Sequence, residues 1–139
     1  MFECRIINAL APDDLSALRK LYIEAGWITP DDPANFLPEV LERSAVAVGA
    51  FNDGSLIGFG RALSDNCSDA YIQDVVVDPK FRGQGIGSRI IRFLEAELRR
   101  RGVDWIALVG EPGTEKFYSG LGLKAEPEYT LWRFPDEKV

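Results

Sequence analysis

Asp74-Val75-Val76-Val77-Asp78-Pro79-Lys80-Phe81-Arg82-Gly83-Gln84-Gly85-Ile86-Gly87-Ser88 runs from an apolar strand through a glycine-rich turn into a helix. A strand that ends in such a turn aims unpaired backbone N–H groups at one place, a helix start where the macrodipole also favours negative charge. The turn therefore reads as a cradle for phosphate oxygens. Glycine at 83, 85 and 87 lets the backbone come close to a ligand and take positive φ without Cβ strain. Anion binding is the first functional reading.

Outward from the turn, the helix is expected over residues 85–101. Ile86, Ile90, Ile91, Leu94 and Leu98 form one apolar stripe, Arg89, Arg92, Glu95, Arg99 and Arg100 face away, and Gly102 closes it. Residues 103–109 read as a strand, so strand, crossover helix and strand imply a parallel pair with a right-handed crossover. A short helix is expected at 114–119 after Gly110-Glu111-Pro112-Gly113, with two final strands at 123–125 and 129–134. Before the turn, residues 45–51, 56–63 and 71–77 read as three strands of an antiparallel meander, the first two joined by the hairpin signal Asn52-Asp53-Gly54-Ser55. Residues 1–10 open in strand fashion. Pro12-Asp13-Asp14 starts a helix whose buried stripe is Leu15, Leu18, Tyr22 and Ile23, and Gly26 ends it. Pro30, Pro33 and Pro38 break the next stretch, where a late-starting helix is expected; Trp27 and Phe36 within it suit either core packing or a pocket lining.

The bulk properties bound the function. At 139 residues, 46% hydrophobic and 27% charged, the chain is expected to form one domain, 1–139, with a core of its own. The formal charge of −6 argues against a nucleic-acid partner and fits a cationic substrate, although solubility alone also explains an acidic balance. No apolar run is long enough to span a bilayer, so no membrane partner is expected and the cytoplasm is the default location. Cys4 and Cys67 have no metal spacing and read as free thiols in a reducing compartment. The chain has no histidine, which removes Ser-His-Asp hydrolysis, Cys-His chemistry and the usual zinc sites; no metal is expected.

Three phosphate-turn readings compete. A P-loop needs Gly-Lys-Ser/Thr at its end, and Gly87-Ser88-Arg89 does not supply it. A dinucleotide fingerprint places glycine where Ser88 stands, and the strands before the turn form hairpins. The third reading is a pyrophosphate loop for coenzyme A. Here the sequence resembles the GNAT N-acetyltransferase superfamily, whose pattern Arg/Gln-x-x-Gly-x-Gly/Ala is met by Arg82, Gly85 and Gly87. The resemblance spans about residues 45–126. It includes the V-V-V-D-P strand end and Phe117-Tyr118 followed by Gly122, which is similar to the family's F-Y-x-x-x-G-F ending. The stretch from Val109 to Tyr118, with 123–127, resembles the arylalkylamine or serotonin acetyltransferase branch.

The resemblance implies an α/β fold with a mixed, mostly antiparallel sheet, flanked by helices and splayed open around acetyl-CoA as cosubstrate. It implies backbone pairing of Val75 and Val77 with the pantetheine arm. It places the pyrophosphate on the amides of Gln84, Gly85, Ile86, Gly87 and Ser88, with Gly83 allowing approach. Arg82 either holds phosphate or caps and packs the loop. The implied reaction is acetyl transfer to a primary amine of a small molecule or peptide by direct attack, and family habit implies a homodimer. An alkylamine of pKa ~10.4 must first lose a proton, and without histidine the acceptor is a carboxylate or a water chain leading to one. Asp74, Glu24 and Glu111 are the candidates, in that order. A strand N–H near Val76 would polarise the thioester carbonyl. Tyr118 occupies the position of the family's acid, and a phenol of pKa ~10 can protonate the leaving thiolate. Tyr22, Glu24, Trp27 and Phe36 are the candidates for the acceptor side. Glu111 and Thr114 depart from the asparagine and alanine frequent in the family, which touches the pantetheine contact. A non-catalytic acyl-CoA sensor on the same fold is the alternative from another class.

Overall fold

At the turn over residues 52–55, Asp53 has φ 49° and Gly54 has φ 82°. Two consecutive positive values match the twist of the flanking strands, and an Asp-Gly pair reaches them cheaply. The turn joins β2 (Val46–Asn52) to β3 (Ser55–Ser64), and β4 (Asp69–Val77) runs antiparallel to β3. β1 (Phe2–Ile6) pairs antiparallel with β2, and β5 (Trp105–Leu108) pairs parallel with β4. The sheet order is β1-β2-β3-β4-β5. This computed structural model describes residues 1–33 and 35–137. The fold is the expected mixed, mostly antiparallel sheet flanked by helices.

Helix α1 (Pro12–Glu24) stops where Gly26 turns left-handed at φ 80°. The Gly26 N–H donates to the Ile23 carbonyl and the Trp27 N–H to the Tyr22 carbonyl, which satisfies two end carbonyls of the helix. Helix α2 (Leu37–Arg43) is the late-starting helix, with Pro38 in its first turn, where a missing N–H costs nothing. Helix α3 (Ile86–Arg100) buries all five residues of the expected stripe.

The two sides of the sheet differ because β3 alternates glycine with bulk. A Cβ at Gly60 would lie 2.7 Å from Ile90 Cγ2, and one at Gly58 would lie 3.0 Å from Ile90 Cδ1, so the missing side chains let α3 sit directly on the sheet. Phe59 points the other way, into a cluster with Leu18, Leu21 and Tyr22 of α1 and Leu37 and Leu41 of α2. That close seating of α3 fixes where its N-terminus meets the end of β4.

Met1–Leu108 is one compact unit and holds all five strands; the residues from Val109 onward are a second. The second unit contains α4 (Glu115–Gly120). Gly122, left-handed at φ 91°, closes α4 as Gly26 closes α1: its N–H donates to Ser119, and that of Leu123 to Tyr118. The expected strands at 123–125 and 129–134 do not form among the described residues. Pro127 offers no N–H, and Tyr129, Leu131, Trp132 and Phe134 are exposed, so β propensity there has no ladder partner to act through. No helix among the described residues is long and apolar enough to cross a membrane.

Candidate active site

The sheet opens where β4 and β5 part. Their pairing ends at Ile72 with Leu108, whereas β4 stays on β3 as far as Val77 with Gly58. From Gln73 to Val77 the edge of β4 opposite β3 has no strand partner among the described residues. At the parting point Phe59 pairs with Val76 and Arg61 with Gln73, so Gly60 faces two residues, Asp74 and Val75. This is a β-bulge. Asp74 takes φ 56° there, a left-handed value that an aspartate tolerates better than most side chains and that concentrates at functional sites.

Past the bulge, the Asp78 N–H donates to the Ile57 carbonyl at 2.8 Å. In an antiparallel ladder such groups alternate, so the N–H of Val76 is turned toward Phe59 on β3 and those of Val75 and Val77 toward the open edge. The expectation that Val76 supplies a donor to the open site is corrected by this register. Val75 and Val77 are the residues whose backbone an extended ligand can meet.

Asp74 turns its carboxylate toward the α1 side. Its Oδ2 accepts from Arg61 Nε at 2.8 Å and from the Tyr22 hydroxyl at 2.8 Å. The ion pair is mostly sheltered, with 17% and 24% of the Arg61 and Asp74 side chains exposed. Both bonds fall on Oδ2, which leaves Oδ1 with lone pairs to offer. No buried side-chain oxygen among the described residues lacks a partner, so Oδ1 reaches solvent. Burial first, then the Asp74 charge, pushes the Tyr22 phenol far above the ordinary tyrosine value, and it remains a donor. Trp27, Phe36 and Phe59 surround the Tyr22 ring at centroid distances of 5.0, 6.3 and 6.2 Å. Phe36 is partly exposed. Glu24 is not brought to this cluster: two residues past Tyr22 on α1 is about 200° around the helix, and it is exposed. Sequence reasoning missed Arg61, whose signal is a lone arginine in the otherwise apolar β3.

The glycine loop is built as an anion cradle. The Asp78 side chain accepts from the Lys80 N–H at 2.9 Å and starts a single 3-10 turn, Pro79–Phe81. Gly83 and Gly85 are left-handed at φ 77° and 81°, and a Cβ on either would meet nothing within 4 Å, so open space lies above the backbone. Gly85 is the N-cap of α3, and no acidic side chain occupies the first turn. The first N–H groups of α3 are therefore free to receive negative charge. Gly87 is not left-handed, contrary to expectation; it lies in the first turn of α3, where its lack of a side chain keeps the approach clear. Arg82 donates from Nε to the Val77 carbonyl at 3.2 Å, which ties the loop back to the strand.

In the second unit, Tyr118 lies on α4 with its ring 5.0 Å from that of Phe117. Partial burial, with the Glu111 carboxylate second, raises the phenol above its ordinary value. A Cβ at Gly110 would come 3.5 Å from the Tyr118 ring, and the Thr114 hydroxyl donates to the Glu111 carbonyl, so the turn before α4 is shaped around this tyrosine.

An open strand edge that leads to left-handed glycines at a helix N-terminus suits a long ligand with a pyrophosphate. The sequence profile of the acetyltransferase (GNAT) family matches residues 13–123. The chain belongs to the GNAT acetyltransferase family. The general reaction of that family moves an acetyl group from acetyl-CoA to an amine. Relatives include the serotonin N-acetyltransferase 2, chloroplastic, of Oryza sativa subsp. japonica, 34% identical over 119 residues, which are 83% of this chain and 58% of that protein. The histone acetyltransferase TAP1 of Glycine max is 33% identical over 126 residues, which are 83% of this chain and 54% of that one. The solved glucosamine-6-phosphate N-acetyltransferase of Arabidopsis thaliana has the same fold, with a TM-score of 0.73 at 21% identity over 98% of this chain and 99% of that one. The GNAT chain described here spans about half to two thirds of the length of the curated relatives it matches.

Proposed function

We propose that this chain, acting as one catalytic domain, transfers an acetyl group from acetyl-CoA to a primary amine of a small molecule or peptide by direct attack in a ternary complex. The observation that carries this is the alignment along β4 of an open edge, a bulge presenting Asp74 and a left-handed glycine cradle at the start of α3. The N–H groups from Gln84 to Ser88 hold the pyrophosphate, and the backbone of Val75 and Val77 pairs with the pantetheine arm. When bound, acetyl-CoA supplies a thioester carbonyl open to attack. Val75, beside the bulge, is the nearest open-edge N–H able to polarise that carbonyl.

Asp74 Oδ1 receives the acceptor ammonium. An alkylamine of pKa ~10.4 is almost wholly protonated at pH 7, and its proton must leave before attack. The ammonium hands it to Asp74 Oδ1, directly or through a water chain that leads there. The family resemblance assigns Tyr118 the role of the acid that would protonate the leaving thiolate, and burial, which raises its value, keeps the phenol protonated at neutral pH. Tyr22, Trp27 and Phe36 form an apolar wall next to Asp74 for the body of the acceptor.

The test is release of free CoA from acetyl-CoA across a panel of arylalkylamines, polyamines and peptide N-termini. The expected result is turnover that Asp74→Asn lowers at least about a hundredfold, the usual scale for a positioned proton acceptor. Saturable acetyl-CoA binding with no turnover on any amine would favour the sensor reading.

A further inference from the structure

Alternation along the strands assigns one set of side chains to the α1 side of the sheet. On β3 these are Phe59, Arg61 and Leu63; on β4 they are Val76, Asp74, Gln73 and Tyr71, the bulge absorbing one step. On β5, Trp105 and Ala107 stand opposite Asp69 and Tyr71 and share that side. The set grades from core to solvent. Phe59 and Val76 are buried with α1, Arg61 and Asp74 are partly sheltered, and then the cover ends. Leu63, Tyr71 and Trp105 are 39%, 47% and 50% exposed. Leu63 is the cross-strand partner of Tyr71, and the Tyr71 and Trp105 rings meet edge to face at 5.4 Å. They form an apolar shelf that begins beyond the Arg61 and Gln73 pair next to the carboxylate and leads away from the glycine cradle.

We propose that Leu63, Tyr71 and Trp105 dock apolar residues of a polypeptide acceptor whose terminal or lysine amine lies at Asp74. The inference rests on the role of Asp74 proposed above. Length selects the occupant. Three steps along the strand lead from Tyr71 to Asp74, which is roughly 10 Å at about 3.3 Å per residue. The two-carbon linker of an arylethylamine does not span that distance, whereas an extended peptide sets its third or fourth residue over Tyr71. Gln73, exposed between the two positions, offers an amide donor and acceptor to a passing backbone. The formal charge of −6 favours a cationic acceptor. A second copy of the chain is the poorer occupant. Half-exposed side chains of this size present on the order of 300 Å² in all, far below the ~1,200 Å² of a stable interface but adequate for a substrate that must leave.

The test compares wild-type enzyme with Tyr71→Ser/Trp105→Ser on three acceptors: tryptamine, and two hexapeptides identical except for leucine or serine at positions three and four. Wild type is expected to favour the leucine peptide about tenfold in kcat/KM, the worth of one buried leucine. The double variant should lose that preference through KM, with its kcat, its tryptamine turnover and its acetyl-CoA affinity unchanged. Leu63→Ser, with a smaller loss of the same kind, keeps the test sound if the double variant melts. Anisotropy of a dye-labelled leucine peptide gives a reading independent of turnover. Peptide binding that the double variant abolishes supports the shelf even if no amine is acetylated, an outcome that would sink only the reading it rests on. Equal losses on all three acceptors, no peptide binding by wild type, or a dimer in light scattering that the variants dissociate would overturn the proposal.

Discussion

Tyr22→Phe isolates the bond that ties α1 to the bulge. The ring is 4% exposed, and its hydroxyl donates to Asp74 Oδ2 at 2.8 Å. A hydrogen bond to a charged acceptor contributes about 1.5–3 kcal/mol. Phenylalanine keeps the ring contacts to Trp27, Phe36 and Phe59, so no sizeable cavity opens. Arg61 still holds Oδ2, so the carboxylate is not left unpaired. The expected cost is therefore at the low end, about 1.5–2 kcal/mol, read as a shift of the urea midpoint at pH 7. The alkaline limb supplies a second reading. The folded Tyr22 value is raised, so its stabilisation is complete below the ordinary tyrosine value near ~10 and is lost as pH rises toward the folded value. Above pH ~10 the unfolded chain releases a proton that the folded chain retains, and stability falls by up to about 1.4 kcal/mol per pH unit for this group. Tyr22→Phe should remove that share of the slope. In a cycle with Asp74→Asn, the two changes should couple by about 1 kcal/mol. A loss under ~0.5 kcal/mol, an unchanged alkaline slope and additive effects would together refute the clamp.

Two further changes test the frame around the site. Gly60→Ala puts a methyl 2.7 Å from Ile90 Cγ2 and 3.2 Å from Leu94 Cδ1, and should cost about 1–3 kcal/mol in urea unfolding while lowering acetyl-CoA affinity as α3 lifts. Hydrogen bonds from Arg100 and then Arg101 hold Glu97 down to about 2. Its contribution is present above the ordinary carboxylate range near ~4.3 and is lost as pH falls toward about 2, so Glu97→Gln should flatten acid unfolding across that window.

Much of this arrangement was legible as pattern. The stripe on α3, the Asp-Gly hairpin and the left-handed Gly83 and Gly85 each follow from local rules, and the structure places them where those rules put them, whereas Gly87 falls inside the first turn of α3. What was not legible depended on partners. Asp74 was readable as a candidate because, without histidine, a carboxylate has to take the proton, but nothing local announced its left-handed φ, which the bulge against Gly60 imposes. Arg61 lies 13 residues from Asp74, and only the β3–β4 register joins them. That register also turns the Val76 N–H away from the open edge, one step of alternation that the sequence leaves unfixed. Glu24 was a candidate proton acceptor and acceptor-side residue, and helical geometry directs it away from the Tyr22 face. The failed strands at 123–125 and 129–134 have propensity without a paired edge, and propensity alone does not make a ladder.

Everything proposed for the site depends on the open edge of β4 and the glycine cradle taking acetyl-CoA. Calorimetric titration of the purified chain with acetyl-CoA, with NADH as the matched pyrophosphate control, tests it most directly. Saturable binding of acetyl-CoA at one site per chain, with no saturable binding of NADH, is the expected result. A flat titration with acetyl-CoA, or equal binding of both ligands, would contradict it and leave the glycine turn to be explained as structure alone.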